Sequence, residues 1–329
     1  MQGCKYNLFN IYFCSIMNKL RILLTVVAVV LCGMIVGSRY FFGVALKTKV
    51  TLTDEEDSYA YISSRGGDLK LWVDSLRANN ALRDTFILAS DGVKIHAIYV
   101  EASRPSPNTA LIVHGYTDNS IRMLMIGHLY HREMGYNIFL PDLRGHGKSY
   151  NDHIQMGWND RKDILDWLPV VNGIYGDTTN VVMHGISMGA ATIVMASGEE
   201  LPGNVKCLVE DCGYTDVWAQ FRNEMGRAYS LPAFPLLHTT SLYCKWKEGW
   251  SFEEASALEQ IKKCHLPMLF IHGDADTYVP TWMVHALYEA KPGVKELWVV
   301  PGVGHANAYW DCTEEYVQRT KAFVEKYIR

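Results

Sequence analysis

The chain lacks a basic excess: 31 Lys and Arg stand against 35 Asp and Glu, a formal net charge of −4. That balance excludes the electrostatic footprint of a nucleic-acid binder. No two of its eight cysteines are spaced CxxC. Cys4, Cys14 and Cys32 lie near the N-terminus, and the other five (Cys207, Cys212, Cys244, Cys264, Cys312) are odd in number and scattered. That pattern argues against a zinc ribbon or disulfide framework; buried free thiols are expected, with one optional disulfide as the alternative. There is no HExxH and no Walker loop, so neither a metal nor an organic cofactor is implied. His128 and His131 stand near Glu133 at helical spacing and read as a solvated helix face. Repeats and low-complexity tracts are absent. What is present is a chain of 329 residues with 49% hydrophobic and 12% aromatic content, enough for a large folded core.

Residues 22–37, ILLTVVAVVLCGMIVG, form an uncharged apolar run preceded by Lys19 and Arg21. Apolar character resumes past Arg39 through Phe41, Phe42, Val44 and Leu46. Residues 22–46 thus supply the roughly 20 positions a transmembrane helix needs, provided Arg39 snorkels to the headgroups. No small-x-small cleavage site follows the run, and Leu31 before Cys32 is too bulky for a lipoprotein site. The favoured reading is an uncleaved, single-pass signal anchor; secretion after signal cleavage is the second. Met17, opening Met-Asn-Lys-Leu-Arg, offers an alternative start. Lys5, Lys19 and Arg21 before the span nearly balance Arg39, Lys47 and Lys49 after it. A domain outside the cytoplasm is expected, because an N-terminal anchor of this kind usually exports the domain behind it. Gly33 and Gly37 form a bare GxxxG pair, a minimal helix-pairing signal.

Residues 47–84 read as a helical adaptor. Thr53 with Asp54, Glu55 and Glu56 marks a helix start, Gly66-Gly67 a break, and Leu69, Trp72, Val73 and Leu76 the apolar face of a second helix. Strands are expected at 85–89 and 93–100 around an Asp91-Gly92 hairpin, then at 110–113, 137–140, 180–183, 205–209, 267–271 and 296–300. Helix-length segments at 121–134, 160–172, 188–198, 281–290 and 313–328 separate most of them. Such alternation implies an α/β fold: a mostly parallel sheet covered on both faces, with the hairpin as an antiparallel edge. Residues 213–263 break the rhythm. They hold Trp218, Phe221, Trp246, Trp250 and Phe252 with Pro232 and Pro235, and read as a helical insertion over the sheet.

Four loops carry the chemistry. Gly185-Ile186-Ser187-Met188-Gly189 sits between an expected strand and an expected helix. A serine on such a strained turn needs glycine neighbours, and the helix N-terminus aims free N–H groups at the hydroxyl. In 272–280, HGDADTYVP, two aspartates follow a strand end, and either Asp274 or Asp276 qualifies as the acid of a triad. Gly302-Val303-Gly304-His305 follows the next strand; of twelve histidines this one completes the order Ser…Asp…His. At 114–116 an HGY turn ends an early strand, making the Tyr116 and Met188 backbone N–H groups the candidate oxyanion donors.

With the PDLRGHGKS stretch at 141–149, these motifs stand in a fixed order, and residues 85–329 resemble the α/β-hydrolase superfamily, in its cap-bearing serine esterase, lipase and peptidase-like branch. The resemblance implies the α/β-hydrolase fold with a helical cap at 213–263; residues 1–46, the N-terminal tail with its expected transmembrane helix, precede it. It selects Asp276 over Asp274 through the HGxxDxxVP pattern, gives Asp142 and His146 a structural role, and leaves Asp211 as a competing acid at a strand end. It implies a Ser187, His305, Asp276 hydrolase of a small-molecule ester or related acyl bond. A peptidase, amidase or acyltransferase of the same fold is the alternative, and a silent membrane-anchored binding protein the alternative from another class.

Overall fold

The computed structural model describes residues 3–48 and 54–329, with side chains from Tyr12 onward. A single helix, α1 (Gly3–Leu46), contains the apolar run; Arg39 does not interrupt it. From Tyr12 to Val36 its large apolar side chains other than the half-buried Met34 are exposed, and the helix is long and apolar enough to cross a membrane. The last turns differ: Ser38, Phe42 and Leu46 are buried in the domain. The expected helix start at Thr53 lies outside the described residues. Helix α2 (Glu55–Ser63) is capped by Asp54, whose side chain accepts from the Asp57 amide. Helix α3 (Gly67–Ala78) follows the Gly66-Gly67 break and buries Leu69, Trp72, Val73 and Leu76.

The expected strands are present. β1 (Arg83–Leu88) and β2 (Lys94–Val100) form the antiparallel hairpin. Then come β3 (Asn108–Val113), α4 (Leu124–His128), a π-helical turn at Leu129–Glu133, β4 (Asn137–Pro141), α5 (Asp160–Tyr175), β5 (Asn180–Ile186), α6 (Met188–Ala196) and β6 (Val205–Asp211). The interval without strands folds as α7 (Val217–Tyr229), α8 (Leu236–Glu248) and α9 (Ala257–Ile261). The chain closes with β7 (Met268–Gly273), α10 (Trp282–Ala290), β8 (Lys295–Val300), α11 (Ala308–Asp311) and α12 (Thr313–Tyr327). The eight strands make one sheet in the order β1-β2-β4-β3-β5-β6-β7-β8. β2 pairs antiparallel with β4, and every pair from β4 to β8 is parallel.

Successive strand residues serve opposite faces. In β3, Leu111 and Val113 pack with α5, α6, α10 and the end of α1, while Ala110 and Ile112 pack with α2, α3, α4 and α12. Both faces are therefore dry, which is why the strands read as continuous apolar runs. Cys207, Cys212, Cys244 and Cys264 are buried free thiols, as expected, whereas Cys312 is only half-buried.

Two local readings need correction. His131 is buried rather than solvated: the Trp72 indole donates to its Nδ1 at 3.2 Å and its Nε2 lies 3.1 Å from the Glu101 carbonyl. Gly37 faces Leu236 of its own chain, where an added Cβ would sit 3.1 Å from that side chain. The GxxxG pair thus admits α8 rather than presenting a free face at Gly37.

Candidate active site

Parallel topology puts the C-terminal ends of β3, β5, β7 and β8 on one edge, where open α/β sheets gather functional loops. Ser187 lies between β5 and α6 at φ 55°, ψ −116°, a conformation a side chain adopts only when its surroundings force it. The surroundings leave no choice. A Cβ on Gly185 would overlap the Gly189 carbonyl, and one on Gly189 would overlap the Val113 carbonyl. The Ser187 amide is fixed by the Asp211 carbonyl oxygen at 2.8 Å.

The loops after β7 and β8 are stitched together: the Asp274 amide donates to the Val300 carbonyl at 3.0 Å and the Ala275 amide to that of Val303 at 3.1 Å. Asp274 is exposed and accepts from the Gly302 amide, which ties the two loops together at the surface. Asp276 is buried. Its Oδ1 accepts from the Tyr278 and Val279 amides, both at 2.9 Å. Its Oδ2 lies 2.6 Å from His305 Nδ1, and His305 Nε2 lies 2.8 Å from Ser187 Oγ. The structure therefore brings Ser187, His305 and Asp276 into one chain of hydrogen bonds. Asp211 is not part of it; its Oδ2 accepts from the Tyr316 hydroxyl at 2.8 Å, on the far side of the sheet.

Electrostatics keep the acid ionised. Burial works to raise the Asp276 carboxyl, but hydrogen bonds from His272 and His305, the His305 charge and the Val279 amide outweigh it and hold it at about 2. His272 went unnoticed in the sequence as anything but a strand end. Its Nε2 donates to the Val279 carbonyl at 2.8 Å and lies 3.3 Å from Asp276 Oδ2, bracing the acid from behind.

Tyr116 and Met188 flank Ser187, and among the described residues neither backbone amide has an acceptor. Gly115 brings the first loop against the serine: the position a Cβ would take there lies 3.5 Å from Ser187 Cβ, in ordinary contact. Two histidines brace this loop. His114 Nε2 accepts from the Leu143 amide at 2.9 Å, so its Nδ1–H donates to the Gly115 carbonyl at 2.8 Å. His146 Nε2 accepts from the Thr117 amide at 3.3 Å. Asp142 accepts from His96, from the Ser120 amide and from the Lys148 amide, deep in the 141–149 loop. Both motif residues thus have structural partners.

One donor cluster has metal-ligand composition: Cys212, Asp276 and His305 offer atoms within 4.8 Å of one another. The direct Asp276–His305 hydrogen bond leaves no space for an ion between them, and burial pushes the Cys212 thiol up, away from the thiolate a metal needs.

Above Ser187 lies a cavity of about 230 Å³ with a mainly apolar lining, including Tyr116, Phe221, Met225 and Leu237. Phe41, Val44 and Ala45 of α1 form part of its wall, a contribution no local motif announces.

The model of the prolyl oligopeptidase family matches residues 124–329. The uncharacterized protein YqkD of Bacillus subtilis is 29% identical over 227 residues, covering 69% of this chain and 74% of its own. The alpha/beta hydrolase domain-containing protein WAV2 of Arabidopsis thaliana is 24% identical over 309 residues, covering 87% and 93%. Among solved structures, the esterase Pf2001 of Pyrococcus furiosus superposes with a TM-score of 0.62 at 23% identity, over 75% of this chain and 92% of that one. At that identity the likeness establishes the shared α/β-hydrolase fold.

Proposed function

Because this chain belongs to the prolyl oligopeptidase family, and so to the α/β-hydrolase superfamily of enzymes, we propose that it is a serine hydrolase cleaving a carboxylic ester through an acyl-enzyme. The observation that carries this reading is the hydrogen-bond chain from Ser187 through His305 to Asp276, 2.8 Å and 2.6 Å, with the serine on a strained turn.

Asp276, ionised, accepts the His305 Nδ1 proton, which leaves Nε2 free to accept from the Ser187 hydroxyl. As Ser187 Oγ attacks the substrate carbonyl carbon, its proton passes to His305 Nε2, and Asp276 stabilises the imidazolium. The carbonyl oxygen takes up negative charge and receives hydrogen bonds from the Tyr116 and Met188 amides. Collapse of the tetrahedral adduct expels the alcohol, which leaves with the proton from His305. Water, deprotonated by the same imidazole, then releases the acid and restores Ser187. No step calls on a metal.

The family also contains peptidases, so peptide cleavage is the second reading. The wall carboxylate Glu224 is the natural anchor for a peptide amine, but Arg227 holds it through two bonds of 2.8 Å. That occupancy and the apolar lining favour an acyl ester. In the same reading residues 213–263 are the cap that shapes the pocket, residues 47–84 a helical adaptor and residues 1–46 a single-pass anchor, with the 85–329 domain outside the cytoplasm.

Ser187→Ala is expected to abolish hydrolysis of a short-chain p-nitrophenyl ester with unchanged thermal unfolding; turnover that survives the change ends the reading. A panel of esters, monoacylglycerols and dipeptide amides separates esterase from peptidase, and failure of Ser187 to react with a fluorophosphonate would point to a silent binding protein.

A further inference from the structure

The helix long enough to cross a bilayer is also a wall of the cavity over Ser187. Phe41, Val44 and Ala45 face the cavity, whereas a few turns earlier Ile22 to Val36 expose an uncharged and mainly apolar surface. A tether alone does not need this arrangement. The adjoining part of the 213–263 insertion shares the helix's polarity. Gly37 lies against Leu236, the Ser38 hydroxyl donates to Thr239 Oγ1 at 2.7 Å, and the Phe42 ring meets Tyr243 at 5.1 Å. These pairs advance together along both chains, so α1 and α8 run in the same direction, and α8 begins at the level of Gly37. The uncharged run 22–37 ends at that same level. The segment leading into α8, SLPAFPLL at 230–237, carries no charge and leaves Leu231 and Phe234 exposed, Phe234 by 72%. Arg39 stands exposed just past the run, at the height where a guanidinium meets lipid headgroups.

We propose that residues 230–235 rest in the lipid headgroup region beside α1 and that the substrate is a bilayer-resident, long-chain acyl ester. It would pass from the membrane between α1 and this segment into the cavity at Ser187. The occupant of the exposed apolar surface is the bilayer itself, because that surface continues the face of α1. An apolar loop at a membrane boundary gains by immersion, and an acyl chain leaving the bilayer beside Phe41 and Val44 exchanges one apolar surface for another. The inference rests on Ser187 being the nucleophile and on α1 spanning the membrane.

The test uses the full chain reconstituted in phosphatidylcholine vesicles, with 4-methylumbelliferyl oleate dissolved in the bilayer and p-nitrophenyl butyrate in the aqueous phase. Leu231→Asp and Phe234→Asp, singly and together, place carboxylates in the segment. The oleate ester is expected to turn over about tenfold more slowly in the double variant, through a raised apparent KM, the size expected for a lost apolar anchor. Butyrate turnover stays within about twofold, as for an ordinary surface change. Phe234→Trp, which keeps an interfacial aromatic, retains both activities. Equal losses on both esters, or no loss on either, overturns the proposal. An unaltered protein that cleaves the butyrate but not the oleate ester overturns it while leaving the serine-esterase reading intact; one that cleaves neither ends both.

Discussion

The Tyr116 hydroxyl donates to the Ala45 carbonyl oxygen at 2.9 Å. The loop after β3 is thereby tied to the last turn of α1, so that the end of this helix is part of the frame around Ser187. Leu46, one residue on, is wholly buried, whereas Leu24 is 58% exposed. Leu46→Ala is expected to cost about 2–5 kcal/mol in denaturant unfolding, as a buried leucine does, and Leu24→Ala nothing measurable in the domain's transition. Tyr116→Phe removes one hydrogen bond worth about 1 kcal/mol and is expected to lower kcat more than KM, because in the proposed mechanism the amide it steadies would act on developing charge. Steady-state kinetics on a soluble ester checks this.

Asp276 and Asp274 lie two residues apart and answer a single question. Asp276→Asn leaves His305 facing an amide that no longer fixes its tautomer, and kcat is expected to fall by about 10³–10⁴-fold. Asp274 ties a turn at the surface, so Asp274→Asn is expected to stay within about threefold. Kinetics of the pair on one ester settles which carboxylate serves the imidazole.

Glu210 gives a pH signature. Burial pushes its carboxyl up to about 7 from the ordinary 4.5, against the lowering effect of His272 nearby and the Gly213 amide, which donates to Oε1. The folded state holds the proton more tightly than the unfolded chain. The group's stabilising contribution is complete below about 4.5 and is lost as pH rises through about 7. Glu210→Gln keeps the shape and the acceptor and removes the titration. Urea unfolding is expected to find the variant more stable than the parent at pH 8 by up to about 3 kcal/mol, and nearly equal to it at pH 4.5. Asp211, raised by burial to about 6, keeps part of the slope in both proteins.

Much of this was legible in the chain because its signals are local. Val113, Val182 and Ile271 are buried on a two-faced sheet, so their strands read as short apolar runs closed by glycine. The glycines around Ser187 announce a turn that only they permit. Other features depend on distant partners. Phe41 and Phe42 satisfy a bilayer and a protein core equally well, so composition alone does not tell that Phe42 packs on Tyr243 while Phe41 lines a cavity. His131 read as solvated because its partner Trp72 lies in another helix. His272 looked like a strand terminus because its contact with Asp276 is made by a side chain folding back over the turn.

The central claim is that His305 activates the Ser187 hydroxyl. The rate of fluorophosphonate labelling, with the modified peptide identified by mass spectrometry, tests it most directly. The account predicts one phosphonyl group on Ser187, formed at least about 10²-fold more slowly in folded His305→Ala. A label on another residue, or an unchanged rate without the imidazole, would contradict it.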